Sequence, residues 1–346
     1  MQTIVAREAP ARNAQWRMPV RAAWALAALG GCFTSGPAPF DTAARAPAIA
    51  AAGGETTRSA SSRPSAGSAR LLTREQARRY MVELINRDRA SAGLHPVELD
   101  EGAAGRAGQI HADDMASHGY LGHWGSDGSV PEQRYTDAGG TDMVLENASC
   151  FTDERNRVLD SAPRIDAKNV ELAEGMFFNE RPPADGHRRN ILKPWHGKVG
   201  IGVAQPVATP TDIPVPCFAQ EFVDSYGSYG PVPRTMRLGA TLRVEGSIEK
   251  PATFAGIGLA RVEAPKPIEV HELNRRRSYP VPAPYQTYWP AGYQTPIAVK
   301  VTGGRFAIDL PVSDRDRSGM YEVSIWASFP GSQDFIMVSL RTIQVR

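Results

Sequence analysis

The feature that most constrains the fold of this chain is a change in its apolar pattern between residues 226 and 233. Before this point, over residues 71–229, segments with apolar residues three and four positions apart, which predict helices, alternate with short strand-like runs. After it, over residues 230–346, the segments are short, alternating and separated by Gly and Pro, which predicts strands alone. The sequence therefore predicts an α+β domain, arranged as a three-layer α-β-α sandwich, followed by a small all-β, Ig-like sandwich.

The most sharply marked element is a helix that begins after Thr73. Thr73 and Gln76 have the spacing of a capping box, in which each side chain bonds the other residue's backbone amide. Further helices are predicted over residues 100–118, 131–138 and 170–179, and strands over residues 143–149, 199–207, 216–223, 297–301, 305–310, 319–328 and 335–345.

Residues 1–31 have the pattern of a lipoprotein signal peptide. Four arginines precede an uncharged run over residues 22–31, which is too short to span a membrane comfortably. The run ends in Leu29-Gly-Gly-Cys32, which resembles a lipobox and predicts cleavage before Cys32 and acylation of its thiol. An ordinary secretory signal is the alternative. Residues 32–70, rich in Ala, Ser, Gly and Pro, predict a disordered tether, and we expect an extracytoplasmic protein, membrane-anchored or secreted.

Charge and cysteine content limit the functions open to the chain. The net charge is +2, from 39 basic and 37 acidic residues, which offers no basic surface for nucleic acid. If Cys32 carries lipid, Cys150 and Cys217 remain as a pair. Such a pair in an exported chain predicts a disulfide, and two buried free thiols are the alternative.

Four short segments of the first domain place a His or a Glu beside glycine or an aromatic residue. They are Gly122-His123-Trp124, Leu145-Glu146-Asn147, Phe177-Phe-Asn-Glu180 and Gly186-His187-Arg-Arg-Asn190. Together with Leu84-Ile-Asn86 on the first helix, and in this order, they resemble the motifs of the CAP superfamily, which includes cysteine-rich secretory proteins, antigen 5, pathogenesis-related proteins and bacterial SCP-like members. The resemblance covers neither the tether nor residues 230–346.

The sequence departs from the pattern of this family at three places. Leu145 stands where the family usually has Gly, and Phe177 where it usually has Trp. The loop between Glu180 and His187 is also longer than in the simple bacterial form. Glu171 or Glu174 therefore remain alternatives to Glu180.

The resemblance implies that His123, Glu146, Glu180 and His187 converge in one cleft. Two imidazoles and two carboxylates form a mixed nitrogen and oxygen site that suits Zn²⁺, and zinc is the one cofactor we expect. Without a metal, the same groups can form a proton-sharing network with raised carboxylate pKa values. A purely structural tetrad, in which the histidines only bond the glutamates, is the third alternative.

The resemblance implies a binding function rather than a particular reaction. The partner we expect is an apolar ligand, such as a lipid or sterol, or a component of the cell envelope. The alternative is a metal-assisted hydrolase in which Glu146 or Glu180 acts as the base, although no His-Glu-x-x-His helix is present. Adhesion through the β-sandwich is a third hypothesis, and whether the protein is an enzyme stays open.

Other residues are weaker candidates for a site. His111 and His118 lie on the second predicted helix, where satisfied or surface histidines are expected rather than metal ligands. An aromatic group in the second domain is expected to belong to its core or to a loop, with sugar stacking or contact with the first domain as alternatives; its members are Tyr285, Tyr288, Trp289 and Tyr293.

Overall fold

The computed structural model describes residues 69–210, 214–276 and 278–346. The predicted signal peptide, Cys32 and nearly all of the tether lie outside these ranges, so the predictions made for them stay predictions. No helix within the described ranges combines the length and apolarity that are needed to cross a membrane.

The first domain mixes helices with short strands. In chain order its elements are β1 (Leu71–Leu72), α1 (Arg74–Ser91), β2 (Glu98–Leu99), α2 (Ala103–His118), α3 (Pro131–Asp137), β3 (Met143–Ser149), β4 (Ile165–Asp166), α4 (Ala167–Phe178), α5 (Gly186–Ile191), β5 (Lys198–Ala204) and β6 (Cys217–Asp224). Helix α1 begins at the predicted position, and both bonds of the Thr73–Gln76 capping box are formed. Helix α5 has no counterpart among the predicted elements because six residues are too few to show a helical period.

A four-stranded sheet forms the middle layer of this domain. Its order is β2-β5-β6-β3, antiparallel except where β2 pairs with β5. One face packs against α1 and α4 through residues such as Met81, Phe177 and Phe222. The other face packs against α2 and α3, where Ala107 and Tyr135 meet Val223. Because both faces are covered, every residue of β6 is buried. The predicted three-layer sandwich is confirmed.

The second domain is built from strands and one short helix. Its elements are β7 (Gly227–Tyr229), β8 (Thr235–Met236), β9 (Thr241–Ile248), β10 (Thr253–Val262), α6 (Val270–Leu273), β11 (Gln286–Tyr288), β12 (Lys300–Thr302), β13 (Arg305–Pro311), β14 (Gly319–Ser328) and β15 (Ile336–Val345). Two sheets, β11-β10-β14-β15-β8 and β12-β13-β9-β7, enclose a core that includes Leu242, Phe306 and Val323. This is the predicted all-β, Ig-like sandwich. Strand β7 precedes residue 230 but pairs with β9, so the sheet already begins at Gly227.

The two domains are in contact along two surfaces. At the first, Met143 of β3 packs against Met337 and Leu340 of β15, and Ser339 donates a hydrogen bond to the carbonyl of Thr141. The second surface involves the long connection between β10 and β11, residues 263–285, which carries α6 and which we call the arm. The arm lies against the loop between α2 and α3, residues 119–130.

Candidate functional site

The four predicted site residues lie close together as two His–Glu pairs, and we keep the word cleft as the name of this site. His123 Nδ1 is 2.9 Å from Glu146 Oε1, and His187 Nδ1 is 2.6 Å from Glu180 Oε1. The centroids of the two imidazole rings are 6.3 Å apart. Because a carboxylate only accepts hydrogen bonds, each histidine donates from Nδ1, and its Nε2 atom is the one left for other ligands.

The first pair is anchored by a buried arginine. Glu146 lies on β3, and its Oε2 accepts a 2.6 Å bond from Arg134 of α3. Arg134 also donates to the carbonyls of Ser129 and His123, so it holds the loop that carries the histidine at the histidine itself and near the end of the loop. His111 of α2 lies behind the carboxylate, with its Nε2 3.5 Å from Glu146 Oε1.

The environment of Glu146 favours its charged form. Burial opposes ionisation, but the positive charge that His111 carries at low pH, the charge of Arg134 and the hydrogen bond from His123 together hold the pKa of the carboxyl well below its ordinary value. Burial also lowers the pKa of His111 to about 4, so that ring is neutral at neutral pH. Arg134 is therefore the cation that balances Glu146 under those conditions.

A second glutamate faces this pair from the neighbouring strand. Glu221 of β6 stands directly opposite Glu146 in the antiparallel register and is fully buried. Burial and the charge of Glu146 raise the pKa of Glu221 well above its ordinary value, which favours the protonated form of Glu221. Sequence reasoning did not find this residue. The available signal was the polar pair Gln220-Glu221 within an otherwise apolar run.

The second pair is held by backbone amides at the start of α5. Glu180 follows α4, and its Oε2 accepts the N–H groups of His187 and Arg188 at 2.9 and 3.3 Å. Burial opposes the charge of Glu180, but the bonds from His187 and these amides lower the pKa of the carboxyl. The His187 ring also packs against Phe177, with centroids 4.9 Å apart.

Helix α5 lies along the free edge of β3 and so joins the two pairs. Asn190 of α5 donates to the carbonyl of Glu146 and to Asn147 Oδ1. Asn147 in turn donates to the carbonyl of His187, at 3.2 Å. Through these side-chain hydrogen bonds, both His–Glu pairs are connected to strand β3.

The two alternatives to Glu180 have other partners. Glu171 accepts a 2.6 Å bond from Tyr80 at the surface of α4. Glu174 accepts a 2.6 Å bond from Gln220 beneath the sheet, where burial raises its pKa to about 8. Glu180 is the carboxylate that contacts His187.

The donor atoms of the cleft fit a metal ion only in part. Among the described residues, no group of three or more His, Cys, Asp or Glu side chains is arranged to hold a metal. Glu146 and Glu180 are occupied as hydrogen-bond acceptors, as the contacts above show. For the described part of the chain, the Nε2 atoms of His123 and His187 have no hydrogen-bond partner. The four predicted ligands are thus two nitrogen donors and the two carboxylates that orient them.

The other predicted residues lie outside the cleft. Cys150 and Cys217 form the predicted disulfide. His118 is partly exposed and pairs with Asp114 at 3.0 Å. The aromatic group lies on the second domain, where Tyr288 is part of the core and Tyr293 is exposed.

An α-β-α sandwich with two His–Glu pairs at the edge of its sheet defines the class of the first domain. Residues 82–207, somewhat over a third of the chain, match the family model of the cysteine-rich secretory protein family, CAP. The first domain is therefore a CAP domain, as its motifs predict.

Comparisons with solved structures gave distant similarities. An extracellular protein from Bacillus anthracis str. Ames that contains an SCP domain is 18% identical over 44% of this chain, with a TM-score of 0.32, and 43% of that protein is covered. A chitin binding domain from Burkholderia pseudomallei is 12% identical over 33% of this chain and 56% of its own length, with a TM-score of 0.22. Murine CRIg is 10% identical over 35% of this chain and 99% of its own length, with a TM-score of 0.21. The chain thus spans less than half the length of the Bacillus anthracis protein. A comparison with curated proteins gave no match.

Proposed function

We propose that the protein is an extracytoplasmic binding protein whose cleft holds Zn²⁺ through the Nε2 atoms of His123 and His187. The observation that supports this is the bond between each Nδ1 and a glutamate. Such a bond sets the tautomer and orientation of a metal-binding histidine and raises its basicity. Zinc accepts imidazole ligands and keeps water or ligand oxygen at its remaining positions. Bound there, the metal supplies a Lewis-acidic contact for an oxygen atom of the ligand.

The electrostatics of the cleft favour binding over hydrolysis. A general base works best when its pKa is near the working pH. The pKa values of Glu146 and Glu180 are both held below the ordinary range, and Glu146 is buried against Arg134. Both carboxylates therefore act as partners of the imidazoles and are poorly suited to take a proton from water.

Location and ligand are part of the same proposal. The signal-like N-terminus and the Cys150–Cys217 disulfide support export, because disulfides persist in oxidising compartments. A lipid on Cys32 anchors the chain to a membrane, and residues 32–70 form the tether. The ligand is an apolar molecule such as a lipid or sterol, or a component of the cell envelope.

Calorimetric titration of the full chain with Zn²⁺ tests the cleft. We expect stoichiometric binding that is weakened at least about tenfold in His123→Ala and in His187→Ala, since each removes one ligand. His118→Ala is the matched control, because this histidine pairs with Asp114 outside the cleft. A folded wild type that binds no zinc would make the tetrad structural, and unchanged binding in the double variant His123→Ala/His187→Ala would place zinc elsewhere.

Metabolic labelling with a fatty-acid analogue tests the anchor. We expect label on the wild type and none on Cys32→Ser. Equal labelling of both would remove the lipid from the proposal.

A further inference from the structure

The arm of the second domain contacts the loop that carries His123 on both sides of this residue. Before it, the N–H of Leu121 donates to Asn274 Oδ1 at 3.1 Å. After it, the carbonyl of Ser126 accepts the N–H of Ile268 at 2.9 Å. The chain that presents the first histidine is therefore bonded to the second domain as well as to its own.

The backbone of the arm also packs directly against the backbone of the loop that carries His123. A Cβ atom on Gly122 would lie 3.4 Å from the carbonyl oxygens of Leu273 and Arg276. At Gly128, where φ is +84°, a Cβ would lie 2.2 Å from the carbonyl oxygen of Lys266. Such distances leave the loop little freedom to shift while the arm is in place.

The residue next to His123 adds a side-chain contact. The ring of Trp124 meets the ring of Tyr279 edge-on, with centroids 5.0 Å apart. The guanidinium of Arg276 lies over the ring of Trp124, with its central carbon 5.8 Å from the ring centroid. Both chain neighbours of His123, Gly122 and Trp124, thus touch the arm.

The second histidine is held differently. The contacts given above for His187 come from Glu180, Phe177 and Asn147, and all three belong to the CAP domain. A change in the arm therefore acts on one half of the cleft and spares the other.

We infer that the arm positions His123 relative to His187, so that the cleft is a composite of both domains, with Asn274 as a positioning residue. The consequence for zinc rests on the proposed function. The positioning itself does not, because the contact requires no metal.

Histidine ring signals in nuclear magnetic resonance spectra of the full chain test the positioning. We expect Asn274→Ala to shift the ring signals of His123 and to leave those of His187 in place. Asn274→Asp keeps the acceptor for Leu121 but loses the Nδ2 donor to Glu154, so it is expected to restore the His123 signals only in part. Arg275→Ala is the matched control, because this side chain is exposed and pairs with Glu272 within the arm. No shift at His123, or equal shifts at both histidines, would overturn the inference.

Zinc affinity separates this inference from the proposed function. One hydrogen bond of ordinary strength corresponds to a change of about fivefold, so we expect the Kd for Zn²⁺ to rise about fivefold in Asn274→Ala and to stay unchanged in Arg275→Ala. If the wild type binds no zinc, the proposed function fails, and the ring signals still decide the inference. An unchanged Kd in Asn274→Ala would overturn the claim that the arm sets the separation of the two histidines.

Discussion

Arg134 is the residue on which the buried charge of the cleft depends. It neutralises Glu146, which is itself opposite Glu221. Two carboxyl groups and one guanidinium thus occupy the interior, and protonation of Glu221 leaves one anion for one cation. Removing one partner of a buried ion pair leaves an uncompensated charge, which is far more costly than the loss of an exposed pair.

Replacing Arg134 is therefore expected to destabilise the protein strongly. Arg134→Met should lower the free energy of unfolding by about 3–5 kcal/mol, measured by denaturant unfolding. Arg243→Met is the control, because its pairs with Glu245 and Asp309 are exposed to solvent and should contribute little to stability. Equally small losses in both variants would show that Glu146 does not need the cation.

At the scale of elements, the packing of α2 on the sheet depends on glycines. A Cβ atom on Gly202 of β5 would lie 2.0 Å from the carbonyl oxygen of Gly108 of α2, and one on Gly200 would lie 2.2 Å from the carbonyl carbon of Ala104. The helix and the strand thus meet backbone to backbone. This close approach holds α2, and with it His111, against the sheet that carries Glu146 and Glu221.

A methyl group at this contact has no space. We expect Gly202→Ala to destabilise the protein by about 1–3 kcal/mol or more, because the helix must move away from the sheet. Gly197→Ala is the matched control, since a Cβ there meets no atom within 4 Å, and its effect should stay within about 0.5 kcal/mol. Denaturant unfolding measures the stability of both variants, and equal stability of the two would contradict this account of the packing.

The disulfide joins the end of β3 to the start of β6. Its cysteines are 67 residues apart in sequence, and on the chain-entropy model a closed loop of this length stabilises the folded state by about 4 kcal/mol. The double variant Cys150→Ala/Cys217→Ala should lose about 2–4 kcal/mol in denaturant unfolding. Reductant should destabilise the wild type and leave the double variant unchanged. Insensitivity of the wild type to reductant would speak against the bond.

At the scale of the whole molecule, buried carboxyl groups lie where the two domains meet. Glu132 of α3 and Glu322 of β14 are close enough for their charges to interact, and Tyr279 of the arm donates a hydrogen bond to Glu132. Burial raises the pKa of both carboxyls, and for Glu322 the charge of Glu132 raises it further. At neutral pH, the buried interface therefore favours protonated carboxyl groups, whereas both glutamates are ionised in the unfolded chain.

This proton makes stability depend on pH in a defined direction. Unfolded glutamates ionise near pH 4.3, so above that value the folded state binds more protons than the unfolded state. The free energy of unfolding should then fall as pH rises toward the raised pKa of Glu322. Glu322→Gln cannot ionise and should reduce this slope at pH values above the ordinary pKa of glutamate. Glu249→Gln, at an exposed position, should keep the slope of the wild type. Equal slopes in all three proteins would contradict the assignment.

The sequence by itself determined the four longest helices of the described residues, about half of their strands and the four residues of the cleft. The Thr73–Gln76 box, the apolar periods of α1 and α2 and the short His and Glu motifs are all readable within a few residues. Local propensity and motif spacing need no knowledge of distant parts of the chain. The signal peptide and the acylation of Cys32 stay predictions of the same kind.

Only the tertiary structure decided which distant groups share one environment. The register of β3 against β6 places Glu221 opposite Glu146, domain packing places Glu322 beside Glu132, and the arm reaches the loop of His123 through Asn274. Residues far apart in sequence make each of these contacts, and a shift of one residue in strand register would abolish the first. These pairings cannot be predicted from local sequence patterns, because the free energy that selects them comes from the packing of the whole folded core.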